Sequence, residues 1–308
     1  EQLGDINAAI AAYGELLARE PGHQGAVESL EAIIAERDAY ENAFATLRPV
    51  LEKSDRFEEL WAQYEVLTAL QADEPDKQVE SLHQMADLAE IRLGDAKRAL
   101  EAQARAFAIA PRNAHTTTEL ERLAEQHNFW EELVGIYGRA AAAGDDDFLA
   151  LELRLKAGAI LMDRLGDKVR ATEAYRAIAK DNPEHAEVQE RLHRLYEERQ
   201  MWPELAGILR AQAESEPEPQ RRIVYLEKLA RVAESRLEDS QKAYEAYIEI
   251  LELDRASSLA IGQLRRLFEA GVNPLDIAER LEPIYRDAGS WDELDSLLQM
   301  KLSVIDEP

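Results

Sequence analysis

Six histidines and a large surplus of carboxylates are the residues that could carry chemistry in this 308-residue chain. His23, His83, His115, His127, His185 and His193 nowhere form a His-Glu-x-x-His arrangement, which would set two imidazoles and a general base on one helical face around a metal. His23 and His185 each stand two residues after a proline, Pro21 and Pro183, so they share a turn position. His185 and His193 could share a helix face, but two imidazoles are only half a zinc site. The run Asp145-Asp146-Asp147 lacks the glycine and glutamate that follow in a calcium loop, and reads as a solvated turn with a helix cap. There is no cysteine, no glycine-rich phosphate loop and no Gly-x-Ser-x-Gly elbow. No catalytic, cofactor-binding or metal-ligating residue is nominated, and no enzyme activity is expected of this segment.

The chain carries 62 acidic and 36 basic side chains, a formal net charge of −26. Such a charge repels nucleic-acid backbone and anionic lipid. No apolar run approaches the roughly 18 residues of a membrane span. Nucleic acid and direct membrane insertion are therefore set aside, and the expected partner is a protein or peptide. Residues 1–102 are the most acidic stretch, at −13, a field that could steer a basic partner. The absence of cysteine suits a reducing or an oxidising compartment alike and names neither. Arginine outnumbers lysine 27 to 9 and alanine is abundant, the codon usage of a GC-rich bacterial genome. Ala, Leu, Glu and Arg dominate, all good helix formers.

Whatever positions these side chains must be repetitive. Leu-Gly-Asp occurs at 3–5, 93–95 and 165–167, with Leu237-Glu238-Asp239 as a variant. The offsets are 90, 72 and 72 residues. The helix after each phrase carries Tyr13, Gln103, Tyr175 or Tyr247 near its middle, and Pro21, Pro111 and Pro183 close the first three. A second phrase alternates with the first: Phe57-Glu58-Glu59-Leu60, Trp130-Glu131-Glu132-Leu133, Trp202-Pro203-Glu204-Leu205 and Trp291-Asp292-Glu293-Leu294. Helical apolar spacing runs between these marks, as in Leu149, Leu153, Ala157, Ile160 and Leu161. The marks predict helices over 5–20, 24–36, 39–53, 57–71, 76–93, 96–110, 114–126, 130–142, 148–165, 168–180, 184–198, 202–214, 218–237, 240–253, 257–269, 274–287 and 291–304.

Residues 80–113, 152–185 and 224–257 share a frame of about 34 residues with the turn phrase between two helices, and this resembles a tetratricopeptide (TPR) repeat. Segments 24–57, 114–147, 186–219 and 258–291 fit it more loosely. The resemblance implies an all-α, right-handed superhelical solenoid of TPR-like hairpins, about seventeen helices in one array over 1–308. The first block has one helix more than the 72-residue blocks, which marks 57–79 as the expected irregular point. The chain enters and leaves in mid-repeat, as a segment of a longer bacterial array would.

In that family the first helix of each repeat lines the partner-binding groove. Carried over by repeat position, the groove residues are Arg122, Arg194 and Arg266, with Glu125, Glu197 and Glu269 three residues after each, and Lys156 and Lys228 between them. The functional reading is a row of guanidinium groups that grips carboxylates of a partner. The structural reading pairs each arginine with the glutamate one turn on. Trp130, Trp202 and Trp291, with Phe57, are expected to pack between hairpins. The leading function is a non-enzymatic protein-interaction scaffold. The alternative is a structural component, a filament or cell-envelope element, built by end-to-end stacking and self-association of solenoids.

Overall fold

The computed structural model describes residues 2–35 and 39–306, with side chains over 6–35 and 39–303. The described residues form seventeen α-helices and no strand. They are α1 (Gln2–Arg19), α2 (Gln24–Ala35), α3 (Tyr40–Lys53), α4 (Phe57–Leu70), α5 (Pro75–Asp87), α6 (Ala96–Ile109), α7 (Ala114–His127), α8 (Trp130–Ala143) and α9 (Asp147–Asp163). There follow α10 (Lys168–Asp181), α11 (Ala186–Glu198), α12 (Trp202–Ser215), α13 (Pro219–Arg236), α14 (Ser240–Leu253), α15 (Ser258–Glu269), α16 (Pro274–Ala288) and α17 (Trp291–Asp306). Two compact units divide the chain, residues 1–167 and 168–308.

Within each unit a helix packs on its sequence neighbours, and in the first unit α1 also packs on α3, α2 on α4 and α6 on α8. That nearest-neighbour packing is the one-dimensional logic of a helical-repeat solenoid. Cross-helix hydrogen bonds sort the helices into two layers. In the first unit Asn42 reaches Asn7, Lys77 reaches Glu41 and Arg122 reaches Glu90, which ties odd-numbered helices together. Gln63 to Glu31 and Arg105 to Glu65 do the same for even-numbered ones. In the second unit Arg266–Glu234 and Arg265–Ser296 join odd helices, and Arg176–Glu204 and Arg210–Glu249 join even ones. Between the layers lie buried Leu82, Leu120, Leu133, Tyr137, Leu192 and Leu226.

The two sequence phrases are the two turns of this alternation. In the first, Gly94 and Gly166 adopt φ of 66° and 65°, the left-handed conformation that ends a helix without a Cβ clash. The aspartate that follows caps the next helix: Asp95 accepts from the amides of Lys97 and Arg98, and Asp239 from Lys242. In the second turn Asp55, Asn128, Gln200 and Gly289 are left-handed. The next amide then bonds back five residues, as in Arg56 to Leu51 (2.9 Å), Phe129 to Ala124 (3.1 Å), Met201 to Tyr196 (2.8 Å) and Ser290 to Tyr285 (2.9 Å). Phe57, Trp130, Trp202 or Trp291 opens the following helix.

Two local outcomes differ from the sequence expectation. The predicted helix 76–93 is α-helical only to Asp87 and becomes π-helical over Leu88–Leu93. In α9 and α13 the same widening shrinks to single five-residue bonds, Leu165 to Ile160 and Leu237 to Val232. The earliest Leu-Gly-Asp, at 3–5, lies inside α1 rather than at a turn, and its side chains fall outside the described residues. Residue 36, where the second predicted helix ended, is outside them too. The extra helix of the first block, α4, takes an ordinary place in the even layer. With it, the helix after the Leu-Gly-Asp phrase changes from the odd layer (α1) to the even layer (α6).

Candidate functional site

All eight groove candidates fall on odd-numbered helices, Arg122, Glu125 and Lys156 in the first unit and the other five in the second, and within each unit cross-helix rungs tie odd helices together. Arg122 of α7 meets Glu90 of the π-helical segment through two nitrogens, at 2.8 and 2.5 Å, and Glu119 on its own helix at 2.8 Å. The charge-assisted bonds hold the Glu90 carboxyl below the usual carboxylate range and raise the Arg122 guanidinium. Arg266 repeats the arrangement with Glu234 of α13, and Tyr247 also donates to Glu234 at 3.1 Å. Arg194 pairs with Glu198 one turn on, at 2.9 Å, and its side chain stays 64% exposed.

None of the three arginines pairs with the glutamate three residues after it, as expected from sequence. Glu125 instead meets Arg164 at 3.4 Å, and Glu269 meets its neighbour Arg265 at 3.4 Å. Glu197 lies near His193 and makes no ion pair among the described residues. Distance along the sequence cannot decide between a partner on the same helix and one on the next odd helix. In two of three cases the neighbouring helix supplies it.

The two lysines sit at equivalent places, and their surroundings differ. Lys156 of α9 bonds Glu121 of α7 at 3.1 Å, and Tyr137 donates to the same carboxylate at 2.8 Å. The Lys156 ammonium also lies 5.7 Å from the Tyr137 ring centre. Burial first, then this bond, pushes the Tyr137 hydroxyl far up. Seventy-two residues on, the corresponding residues are Lys228, His193 and Leu209. The carboxylate and the phenol are both gone, and Lys228 makes no ion pair among the described residues. An open groove of about 870 Å³ occupies the place, bounded by α11, α12 and α13. His193, Lys228, Gln189, Gln212, Tyr225 and Glu190 line it. Gln189 donates its amide to the Pro183 carbonyl at 2.6 Å, and its Oε1 is buried with no partner. Burial, then the Lys228 charge, lowers the His193 imidazole, so the ring is held towards neutrality.

His193, Gln189 and Tyr225 are not among the groove residues expected from sequence, where His193 enters only as half of a metal pair with His185. A 72-residue comparison at Glu121 would have found His193, because the acid changes to a neutral base opposite a retained lysine.

The first unit has a groove of about 510 Å³ where α3, α4, α5 and the π-helical segment meet. Its polar groups satisfy one another: Arg48 donates to Gln84 and Glu52, and Tyr64 donates to Gln84. Burial pushes the Tyr64 hydroxyl up to about 12. His83 and His115 meet edge to face with centres 4.8 Å apart, and His83 bonds Thr116 at 2.7 Å. Among the described residues no three metal-ligating side chains converge. His23 accepts the Ala26 amide at 3.1 Å, and Asp146 accepts that of Leu149 at 3.0 Å, so both serve as helix caps.

Three of the four aromatic residues of the second phrase, Phe57, Trp130 and Trp202, are half-buried, each under an arginine. Arg92 lies over Phe57 at 5.6 Å, Arg164 over Trp130 at 4.8 Å, and Arg236 over Trp202 at 4.8 Å. Each arginine immediately precedes the leucine of the turn phrase. Phe57 and Trp130 also pack against the hydrophobic core as expected, whereas Trp291 is 65% exposed.

No family model matches the sequence, and no curated protein matches it. Among solved structures, a chain in the structure of Naa15/Naa10 bound to HypK-THB aligns over 98% of this chain, with 16% identity and a TM-score of 0.37. This chain spans about half of that chain's length, 52%. No described helix is long and apolar enough to cross a membrane.

Proposed function

We propose that the protein is a non-enzymatic scaffold that holds protein partners against the odd-helix layer, with the groove between α11 and α13 as the principal contact. The observation that carries this reading is the break in the ladder. In the first unit Glu121–Lys156 and Glu90–Arg122 close such rungs; at His193 and Lys228 the closing acid is missing and a groove lies open. Solenoids bind through extended surfaces of this kind because repeats present side chains at fixed spacing. Arg122 and Arg266 are engaged with glutamates, so they act as braces. Arg194 pairs only within its own helix, to Glu198, and braces no neighbouring helix. The test is partner binding by variants: Lys228→Glu and Arg194→Glu weaken it, and Arg122→Gln acts through stability alone. Equal loss from all three at matched stability would refute the assignment.

The alternative is self-assembly by end-to-end stacking, and one observation favours it. On α17, Trp291, Leu298 and Leu302 are exposed along one helical stripe, at 65, 36 and 59%. An exposed apolar stripe is a surface for association. Light scattering behind size-exclusion chromatography separates the readings. A mass that climbs with concentration, and returns to one chain in Leu302→Glu, supports stacking; a constant single-chain mass removes it.

A further inference from the structure

We infer that the groove between α11 and α13 recognises a polypeptide segment carrying an acidic and a basic side chain about three residues apart, with the acid seated against Lys228 and His193. The inference deepens the scaffold reading and rests on it. It starts from the sister repeat, where the same space is filled from within. There the Glu121 carboxylate receives Lys156 at 3.1 Å and Tyr137 at 2.8 Å. In the second unit His193 and Leu209 replace the acid and the phenol, while the lysine is kept. The retained ammonium has lost its internal anion, and space for a substitute is open beside it. A partner's carboxylate completes the rung as Glu121 does, in a charge-assisted bond.

The opposite charge requirement comes from the other end of the groove. Glu184, beside the start of α11, and Glu216, at the end of α12, line that end, and Glu190 lies one turn before His193. From Ala186 to His193 the helix rises about 10 Å, which an extended chain covers in about three residues. Glu216 accepts the Glu218 amide at 3.0 Å, and no ion pair to Glu184 or Glu190 exists among the described residues. The groove is thus a dipole, negative at one end and positive at the other. A small free anion would meet the lysine and leave the acidic end unused. The dipolar form also reconciles acid recognition with a protein of net charge −26.

The test uses the full chain with 13C-labelled histidine rings and four probes. Two are the blocked tetrapeptides Lys-Ala-Ala-Glu and Glu-Ala-Ala-Lys, which cover both chain directions. The third is Lys-Ala-Ala-Gln and the fourth is acetate. One acid-containing peptide is expected to move the His193 resonance saturably, with the glutamine peptide and acetate at least tenfold weaker. Lys228→Glu should abolish saturation. His193→Glu rebuilds the Glu121–Lys156 rung, so it should fold with an unchanged melting temperature and bind the dye-labelled peptide at least tenfold more weakly. No saturable shift from either peptide overturns the inference, as does unchanged peptide affinity in a folded His193→Glu chain. An equal response to acetate replaces it with a small-anion site. Because these probes need no cellular partner, their failure removes the dipolar specificity without touching the scaffold reading, which falls only if partner contacts avoid the odd layer.

Discussion

At the residue scale the turn phrases are conformational devices, and single positions test them. Glu238 holds φ of 53° where the other turn copies use Gly94 and Gly166. A side chain pays about 1 kcal/mol in the left-handed region. Glu238→Gly should therefore raise stability by roughly 0.5–1 kcal/mol in chemical denaturation, despite the greater freedom of glycine in the unfolded chain. A loss would show that Glu238 makes a contact worth more than its strain. Glu90 makes a second test. Arg122 holds its folded pKa below the unfolded one, so its stabilisation is present at neutral pH and is lost as pH falls through the carboxylate range. Glu90→Gln should lower stability at pH 7 and flatten its decline towards pH 3 in thermal melts. A parallel downward shift at all pH values would contradict that linkage.

At the element scale the helices were legible in the sequence, and the reason is local. A left-handed glycine followed by an aspartate cap punctuates the chain without reference to tertiary structure, as at Gly94-Asp95. The π-helical turn at Leu88–Leu93 was not legible, because a one-residue widening leaves apolar spacing nearly unchanged. The rungs were only half legible. Arg122 and Arg266 could be placed on the odd layer by repeat position, but their partners Glu90 and Glu234 come from the preceding odd helix. The arginine–aromatic clasps went unseen although both halves recur at the repeat offset. They connect the start of an even helix to the end of the next odd one, so their worth is a packing term. Trp202→Ala should cost about 2 kcal/mol, less than a fully buried tryptophan. A double-mutant cycle with Arg236→Ala should show coupling of about 0.5–1 kcal/mol. Zero coupling would mean the guanidinium merely covers the ring.

At the scale of the whole molecule, charge sets the conditions of stability and function follows from where the pattern is broken. A net charge of −26 leaves many carboxylates without an internal base. Self-repulsion then opposes the folded chain, and salt relieves it. The melting temperature should rise as sodium chloride increases from about 10 to about 150 mM, with a Debye length falling from about 30 to about 8 Å. A fall would mean that the cross-helix ion pairs outweigh the repulsion. Repetition explains most of the molecule, and the rung missing at His193 and Lys228 is the place where repetition gives way to a groove. The most direct experiment puts a photo-crosslinking amino acid at Gln189, lining that groove, and at Ala177, exposed on the even-layer helix α10, in cells of the source organism. A discrete crosslinked protein partner from position 189 and none from 177 is the expected result. Crosslinks from 177 alone would place partner binding on the opposite layer and contradict the scaffold as described.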